Sequence, residues 1–269
     1  MLSRMTILTR TPQELKQALF DAPGVSLVPT MGALHSGHIS LVREAQKLGN
    51  PVAVSIFVNP LQFAPGEDLD AYPRTLGEDI AKLEAEGVDA VFAPSISTMY
   101  PHGPRTTIHP GPLGAILEGK TRPTHFAGVL TVVAKLFCLT GATDAFFGKK
   151  DYQQLALIRQ MVEDLHLPVR VHGCPIIRED SGLALSSRNR YLSEAEHQTA
   201  LTLSRALKTG SYDAALAELK SADGIDLDYL AVTTPELEEL PEGYTGPARL
   251  LVAAKVGQTR LIDNAEIQV

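Results

Sequence analysis

Two histidines three positions apart, His35 and His38, with Gly37 between them, stand where a strand-like run (Val25–Pro29) gives way to a helical pattern (Ile39–Leu48). A strand-to-helix turn offers unpaired backbone N–H groups and the partial positive charge of a helix start, a setting that suits nucleotide phosphates. Imidazole N–H groups placed there donate to phosphate oxygens, and they strengthen as charge grows on those oxygens during phosphoryl or nucleotidyl transfer. Gly37 has no side chain, so a flat adenine and its ribose can approach the backbone closely. The bland alternative is a pair of capping or merely polar histidines. A metal would need further ligands, and no nearby Cys, His or carboxylate completes a set at the usual spacing.

A second constellation, Gly148-Lys149-Lys150-Asp151, follows the strand-like Asp144–Phe147 and precedes a helical pattern at Tyr152–Leu165. Glycine allows close approach, lysine neutralises phosphate, and Asp151 suits a ribose hydroxyl or Mg²⁺. It is not a P-loop, because G-x-x-x-x-G-K-[ST] occurs nowhere in the chain. A third is Leu185-Ser186-Ser187-Arg188-Asn189-Arg190, where two hydroxyls and a guanidinium compose a phosphate clamp. Gln62 and Gln154 add neutral amides, each able both to donate to and to accept from a hydroxy-acid. Each of these has an ordinary reading as a solvated turn, polar linker or surface glutamine.

These residues require a scaffold of alternating elements. Strand-like runs at Met5–Thr9, Val25–Pro29, Val52–Val58, Val88–Ala93, Asp144–Phe147 and Val169–His172 alternate with helical patterns at Ile39–Leu48, Leu76–Glu86, Ala127–Leu139 and Tyr152–Leu165. The capping box Thr11-Pro12-Gln13-Glu14 opens a further helix. The pattern predicts an α/β fold, a Rossmann-like parallel sheet with helices on both faces that binds ligands at the carboxyl ends of its strands. Beyond residue 177 the rhythm changes. A second capping box, Ser193 to Glu196, starts a helix ending near Lys208, and strands are expected at Tyr229–Thr233, Arg249–Ala254 and Thr259–Asp263. The expected domains are 1–177, Rossmann-like, and 178–269, a smaller α+β unit.

With 269 residues, 44% of them hydrophobic and 20% charged, the chain reads as an ordinary soluble protein. The net charge of −7 argues against nucleic acid as main partner, since positive residues gather only in short patches suited to a small anion. The longest apolar stretches are too short to span a bilayer, and residues 1–10 lack the apolar core of a secretory signal. The two cysteines, Cys138 and Cys174, form no C-x-x-C pair and are expected as buried reduced thiols in a cytoplasmic protein.

Together, Pro29–His38, Ser55–Phe63, Tyr72–Leu76, Gly148–Gln154, Leu183–Arg190 and Arg260–Asn264 stand in the order found in the pantoate–β-alanine ligase (pantothenate synthetase) family, which this chain closely resembles almost from end to end. The first histidine motif alone is similar to that of many nucleotidyltransferases of the class I aminoacyl-tRNA synthetase type. The resemblance implies ATP-dependent condensation of pantoate with β-alanine through an enzyme-bound pantoyl adenylate, giving pantothenate, AMP and pyrophosphate. It assigns ATP to Met31, Gly32, Ala33, Leu34, His35, Ser36, Gly37, His38, Gly148, Lys149, Lys150, Asp151, Ile177, Leu185, Ser186, Ser187 and Arg188. It assigns pantoate to Gln62 and Gln154. Catalytic roles fall to His38, His35, Lys150, Ser186, Ser187 and Arg188, and residues 178–269 become a lid. Asn59, Tyr72, Glu118 and Arg122 match positions near the family's site; Glu118 and Arg122 equally suit a structural ion pair. The resemblance also implies Mg²⁺ carried with ATP and a homodimer. One departure is Lys149, where the family commonly has glutamate. The alternatives are another nucleotidyltransferase with the same histidine motif, or a nucleotide-binding module without catalysis.

Overall fold

The computed structural model describes residues 5–20, 22–64 and 66–269. Six parallel strands, β1 (Ile7–Thr9), β2 (Ser26–Thr30), β3 (Val52–Ile56), β4 (Ala90–Phe92), β5 (Asp144–Gly148) and β6 (Arg170–Cys174), form one sheet in the order β1-β4-β3-β2-β5-β6. Three antiparallel strands, β7 (Ile225–Thr233), β8 (Pro247–Val256) and β9 (Thr259–Gln268), form a second, smaller sheet. The helices are α1 (Pro12–Ala18), α2 (Ser36–Gln46), α3 (Leu76–Ala85), the single turns α4 (Ile96–Met99) and α5 (Glu118–Thr121), then α6 (His125–Thr140), α7 (Tyr152–Asp164), α8 (Glu194–Lys208) and α9 (Tyr212–Ser221). The chain divides into two compact units, one of Met1–Gly148 with Leu157–Cys174, the other of Lys149–Ala156 with Pro175–Val269.

In the first unit the central strands are apolar on both faces, as parallel strands covered by helices must be. Val28, Val54 and Val91 are fully buried and meet Val42 and Ala45 of α2 and Leu83 of α3 in one core. The connection from β2 leads through α2 to β3 on one side, whereas β5 pairs with β2 on the other. The strand order therefore reverses between β2 and β5, the place where open α/β sheets bind ligands. The turn carrying the histidines leaves β2 there, and Gly148 ends β5.

Sequence and structure agree closely on these elements and differ where side-chain chemistry decides. Helix α2 begins at Ser36 rather than Ile39, because His35 itself caps it. Both capping boxes form: Thr11 with Glu14, and Ser193 with Glu196. Helix α9 was not expected, and β9 continues five residues past Asp263. Cys174 is buried but Cys138 is exposed, a correction to the expected buried pair. Its neighbours Leu136 and Phe137 face the core, and a further 100° of helical rotation carries residue 138 outward.

The second unit places α8 and α9 against the β7–β8–β9 sheet. Leu203, Ala206, Leu207, Ala215 and Leu219 pack with Leu250, Val252, Ala254, Val256 and Leu261. β8 is buried along nearly its whole length, as a central strand should be.

One close approach in the first unit bears on Gln62. Helix α6 lies against the short 3-10 turn Pro60–Gln62, and a Cβ on Gly128 would sit 2.3 Å from the Leu61 carbonyl oxygen and 2.7 Å from the Gln62 nitrogen. Backbone on both sides leaves nothing flexible to yield. Gly128→Ala should therefore lower stability by about 1–3 kcal/mol, the usual cost of overpacking. Urea unfolding measures it, and an unchanged midpoint would show that the turn does not press on α6.

Candidate active site

The turn after β2 is built from residues in unusual conformations. Gly32 and Ala33 both have positive φ, 86° and 50°, and Ala33 bears the cost of a Cβ in that region. Five backbone donors of this turn have side-chain acceptors within the protein. The Gly32 N–H donates to Thr30 Oγ1 (3.2 Å), Ala33 to Asp79 Oδ2 (2.9 Å), and Leu34 to Asp79 Oδ1 (2.8 Å). The His35 N–H donates to His38 Nδ1 (3.3 Å), and Gly37 to His35 Nδ1 (3.1 Å). For these five groups the expectation of unpaired backbone N–H at this turn is corrected: side chains occupy them.

The same bonds fix the chemistry of the imidazoles. Each Nδ1 accepts a backbone N–H, so each neutral ring must carry its proton on Nε2. The two rings lie 4.1 Å apart, tilted by 39°. Capping and function are therefore not competing readings of these histidines. The caps select the tautomer that makes Nε2 the donor.

Gln62 belongs to the same unit. Its Oε1 accepts from Asn59 Nδ2 (3.1 Å) and its Nε2 donates to Met31 Sδ (2.9 Å), which brings the glutamine to the histidine-bearing turn. Asn59 is fully buried, with further bonds to the Gly128 carbonyl (3.1 Å) and from the Tyr100 hydroxyl (2.9 Å). Burial pushes the Tyr100 phenol up to about 12 and keeps it protonated as that donor. The Gln62 carbonyl accepts from Arg122 Nη2 (3.2 Å) and lies 2.9 Å from His125 Nδ1. Arg122 grips Glu67 with two 2.7 Å bonds, so the ion pair that Glu118 was one candidate to form is made by Glu67. Glu118 instead opens the turn α5, and its carbonyl accepts the Arg122 N–H (2.8 Å).

In the second unit, Asn264 of β9 donates to the carbonyls of Lys149 (2.9 Å) and Lys150 (3.0 Å), and itself accepts from Arg249 Nη1 (3.2 Å). The Arg249 guanidinium covers the Tyr152 ring at 4.1 Å, and the Tyr152 hydroxyl donates to the Pro235 carbonyl (2.9 Å). Lys150 Nζ lies 3.8 Å from Asp151 Oδ1. Ile177 and Leu185 are joined by a backbone bond (2.9 Å) across a hairpin, which Arg178 ties to Asp263 with bonds of 2.6 and 3.0 Å. Ser186 then caps the 3-10 turn Ser187–Tyr191 through its Oγ, which accepts the Arg188 N–H (3.3 Å). Gln154 is half-buried on the first turn of α7. Glu179 accepts from Asn189 (2.8 Å) and contacts His197 Nε2 (2.6 Å), bracing the same turn.

The residues missed from sequence are those that hold loops rather than face ligand: Asp79, Glu67, Asp263 and Asn264. Only the last two carried a signal, lying in the late segment that the family resemblance had picked out. Among the described residues, no group of three or more His, Cys, Asp or Glu could hold a metal ion. No helix among them is long and apolar enough to cross a membrane.

His125 provides a pH handle on this scaffold. Burial, aided by the Arg122 charge, lowers its imidazole from 6.5 to about 4, so the neutral ring donates Nδ1–H to the Gln62 carbonyl. The unfolded chain binds that proton more readily. Stability is therefore complete above about pH 6.5 and declines as pH falls toward 4. Between pH 7 and 5 the loss should be about 2 kcal/mol. His125→Asn keeps a donor near the Nδ1 position without titrating. Urea midpoints should fall less for it over that interval; an identical decline would remove His125 as the cause.

Comparison with known proteins fits this geometry. The family model described as pantoate–β-alanine ligase matches residues 7–266. A pantothenate synthetase of Corynebacterium jeikeium is 63% identical over 254 residues, covering 90% of this chain and 82% of that protein. The crystal structure of pantothenate synthetase from Thermus thermophilus superposes with a TM-score of 0.90 at 46% identity, covering 96% of this chain and 98% of that one. A pantoate–β-alanine ligase from Francisella tularensis, solved with β-γ ATP and β-alanine, gives 0.82 at 36% identity, covering 97% of each chain. The chain belongs to the pantoate–β-alanine ligase family, enzymes that form an amide bond between pantoate and β-alanine.

Proposed function

We propose that this chain condenses pantoate with β-alanine in two steps, with the residues assigned above in specific roles. A pantoate carboxylate oxygen attacks the α-phosphorus of ATP, the α–β phosphoanhydride bond breaks, and pyrophosphate leaves. The β-alanine amine then attacks the acyl carbon of pantoyl adenylate, the bond to AMP breaks, and the amine sheds a proton. A carboxylate is a poor electrophile until its oxygen joins a good leaving group, which adenylation provides. The adenylate hydrolyses readily, so water must be kept from it.

The observation that carries the reading is the capture of Nδ1 on both His35 and His38 by backbone N–H groups, which makes Nε2 the donor of each ring, in a turn whose Met31 also holds the amide of Gln62. We assign the residues from Met31 to His38 to ATP, with His35 and His38 on its phosphates and His38 as the main donor to the developing charge. Gly148, Lys149, Lys150, Asp151, Ile177 and Leu185 bind the nucleotide. Lys150, Ser186, Ser187 and Arg188 neutralise the triphosphate in the transition state, and residues 178–269 supply the Leu185–Arg188 part of this clamp. Gln62 and Gln154 bind pantoate. Mg²⁺ arrives with ATP, and the enzyme works in the cytoplasm as a homodimer. Lys149 adds a positive charge where the family commonly has glutamate, favouring pyrophosphate.

With ATP and pantoate but no β-alanine, a burst of pyrophosphate near one equivalent per subunit is expected, and its absence would reject the adenylate. His38→Ala should cut adenylation by about 100-fold, the scale of losing one oxyanion donor, while the fold persists. Unchanged turnover would remove that role. Gln154→Ala should raise the KM for pantoate at least tenfold and that for ATP less than twofold; equal changes would make Gln154 structural.

A further inference from the structure

The fully buried carboxylate of Asp79 has no part in the roles assigned so far. It lies in the first turn of α3, 46 residues from the histidine-bearing turn, yet both oxygens are engaged by that turn. Oδ2 accepts from Ala33 N–H and from the Thr75 hydroxyl (3.1 Å); Oδ1 accepts from Leu34 N–H. Lys82, one helical turn further along α3, donates Nζ to the Leu34 carbonyl (2.8 Å) and stands 4.0 Å from Asp79 Oδ1. Leu34 is thus clamped at both its N–H and its C=O.

We propose that Asp79 is a positioning residue for adenylation: it draws the Ala33 and Leu34 N–H groups inward, so that the imidazoles of His35 and His38, rather than the backbone, meet the nucleotide. The inference rests on the functional reading above and deepens it. Consecutive N–H groups in a turn with left-handed residues would otherwise form a nest for an anion. A carboxylate from the protein fills that nest. Stability alone does not call for a charge here, since burying one is costly unless every lone pair finds a donor. The return is geometric. With Ala33 held at positive φ, the chain enters α2 with His35 extended (φ −126°, ψ 176°), which is what lets each histidine cap the other's backbone and lock its tautomer.

The test uses Asp79→Asn, which keeps shape but faces one of the two N–H donors with an NH₂ group. Pyrophosphate release with ATP and pantoate should fall 10- to 100-fold in kcat, while the KM for pantoate stays within twofold. In long-range ¹H–¹⁵N spectra of the unliganded protein, His35 and His38 should change from Nε2–H alone to mixed tautomers. A merely structural Asp79 would lower stability and leave both kcat of the folded enzyme and the ring signals unchanged, and that result overturns the proposal. Should Asp79→Asn not fold, Lys82→Met removes the Leu34 carbonyl bond from a partly exposed position; kcat should drop several-fold with the same spectral change, and wild-type values for both would overturn the inference. The spectra require no substrate. Failure of wild-type enzyme to release pyrophosphate would therefore reject the functional reading while the positioning claim was still being decided.

Discussion

Every peptide N–H withdrawn from water needs an acceptor, and at the turn after β2 those acceptors are side chains. This one requirement orders much of what surrounds it. A turn with two successive left-handed residues cannot pair its own backbone, so it takes oxygens from Thr30 and Asp79 and ring nitrogens from His35 and His38. Because the ring nitrogens are used this way, the imidazole tautomers follow from backbone geometry. The same arrangement recurs in the second unit, where Asn264 satisfies two carbonyls of the Lys149–Lys150 segment and Ser186 satisfies the Arg188 N–H. The loops proposed to carry function are pinned by polar side chains rather than by sheet pairing.

The parallel sheet was legible because its information is local. Runs such as Val52–Val54 and Ala90–Phe92 are apolar without alternation, as a strand covered on both faces should be. Capping boxes at Thr11 and Ser193 announced helix starts to the residue, since the cap and the third helical residue are neighbours in sequence. Helix α9 was harder. It buries only Ala215 and Leu219, a narrow stripe in a core whose strand residues Leu250 and Val256 lie more than thirty residues on. Cys138 misled for a related reason: the run around it is apolar all round, so composition could not say which side faces water.

The residues proposed to face ligand stand out in the sequence by type and spacing, whereas the residues that hold their loops do not. Asp79 reads from sequence as an ordinary acidic residue in the first turn of a helix, favourable to the helix dipole and nothing more. Its bond to Leu34 joins two elements 45 positions apart, and no periodicity reports such a pairing. Glu67 and Glu118 pose the same difficulty. Both carboxylates are plausible partners for Arg122 by type, and Glu118 stands four positions before it while Glu67 lies 55 positions away. The choice of Glu67 depends on where the loop before Tyr72 returns, which is a tertiary fact.

The tautomer lock also bears on how binding and catalysis divide on the proposed reading. A neutral imidazole donating through Nε2 contributes little to holding a highly charged triphosphate in its ground state, because water does nearly as well. Its contribution rises as negative charge builds on the phosphate oxygens, which is the condition for speeding the chemical step rather than merely tightening the complex. Ground-state binding then falls to full charges, Lys149, Lys150 and Arg188. A chain with net charge −7 has reason to confine such cations to the places where they are used. Fixed neutral donors for the transition state and a small set of cations for the substrate are complementary solutions. The first depends on buried supports of the kind that Asp79 provides, since a donor contributes to the barrier only if it is already aimed before the charge appears.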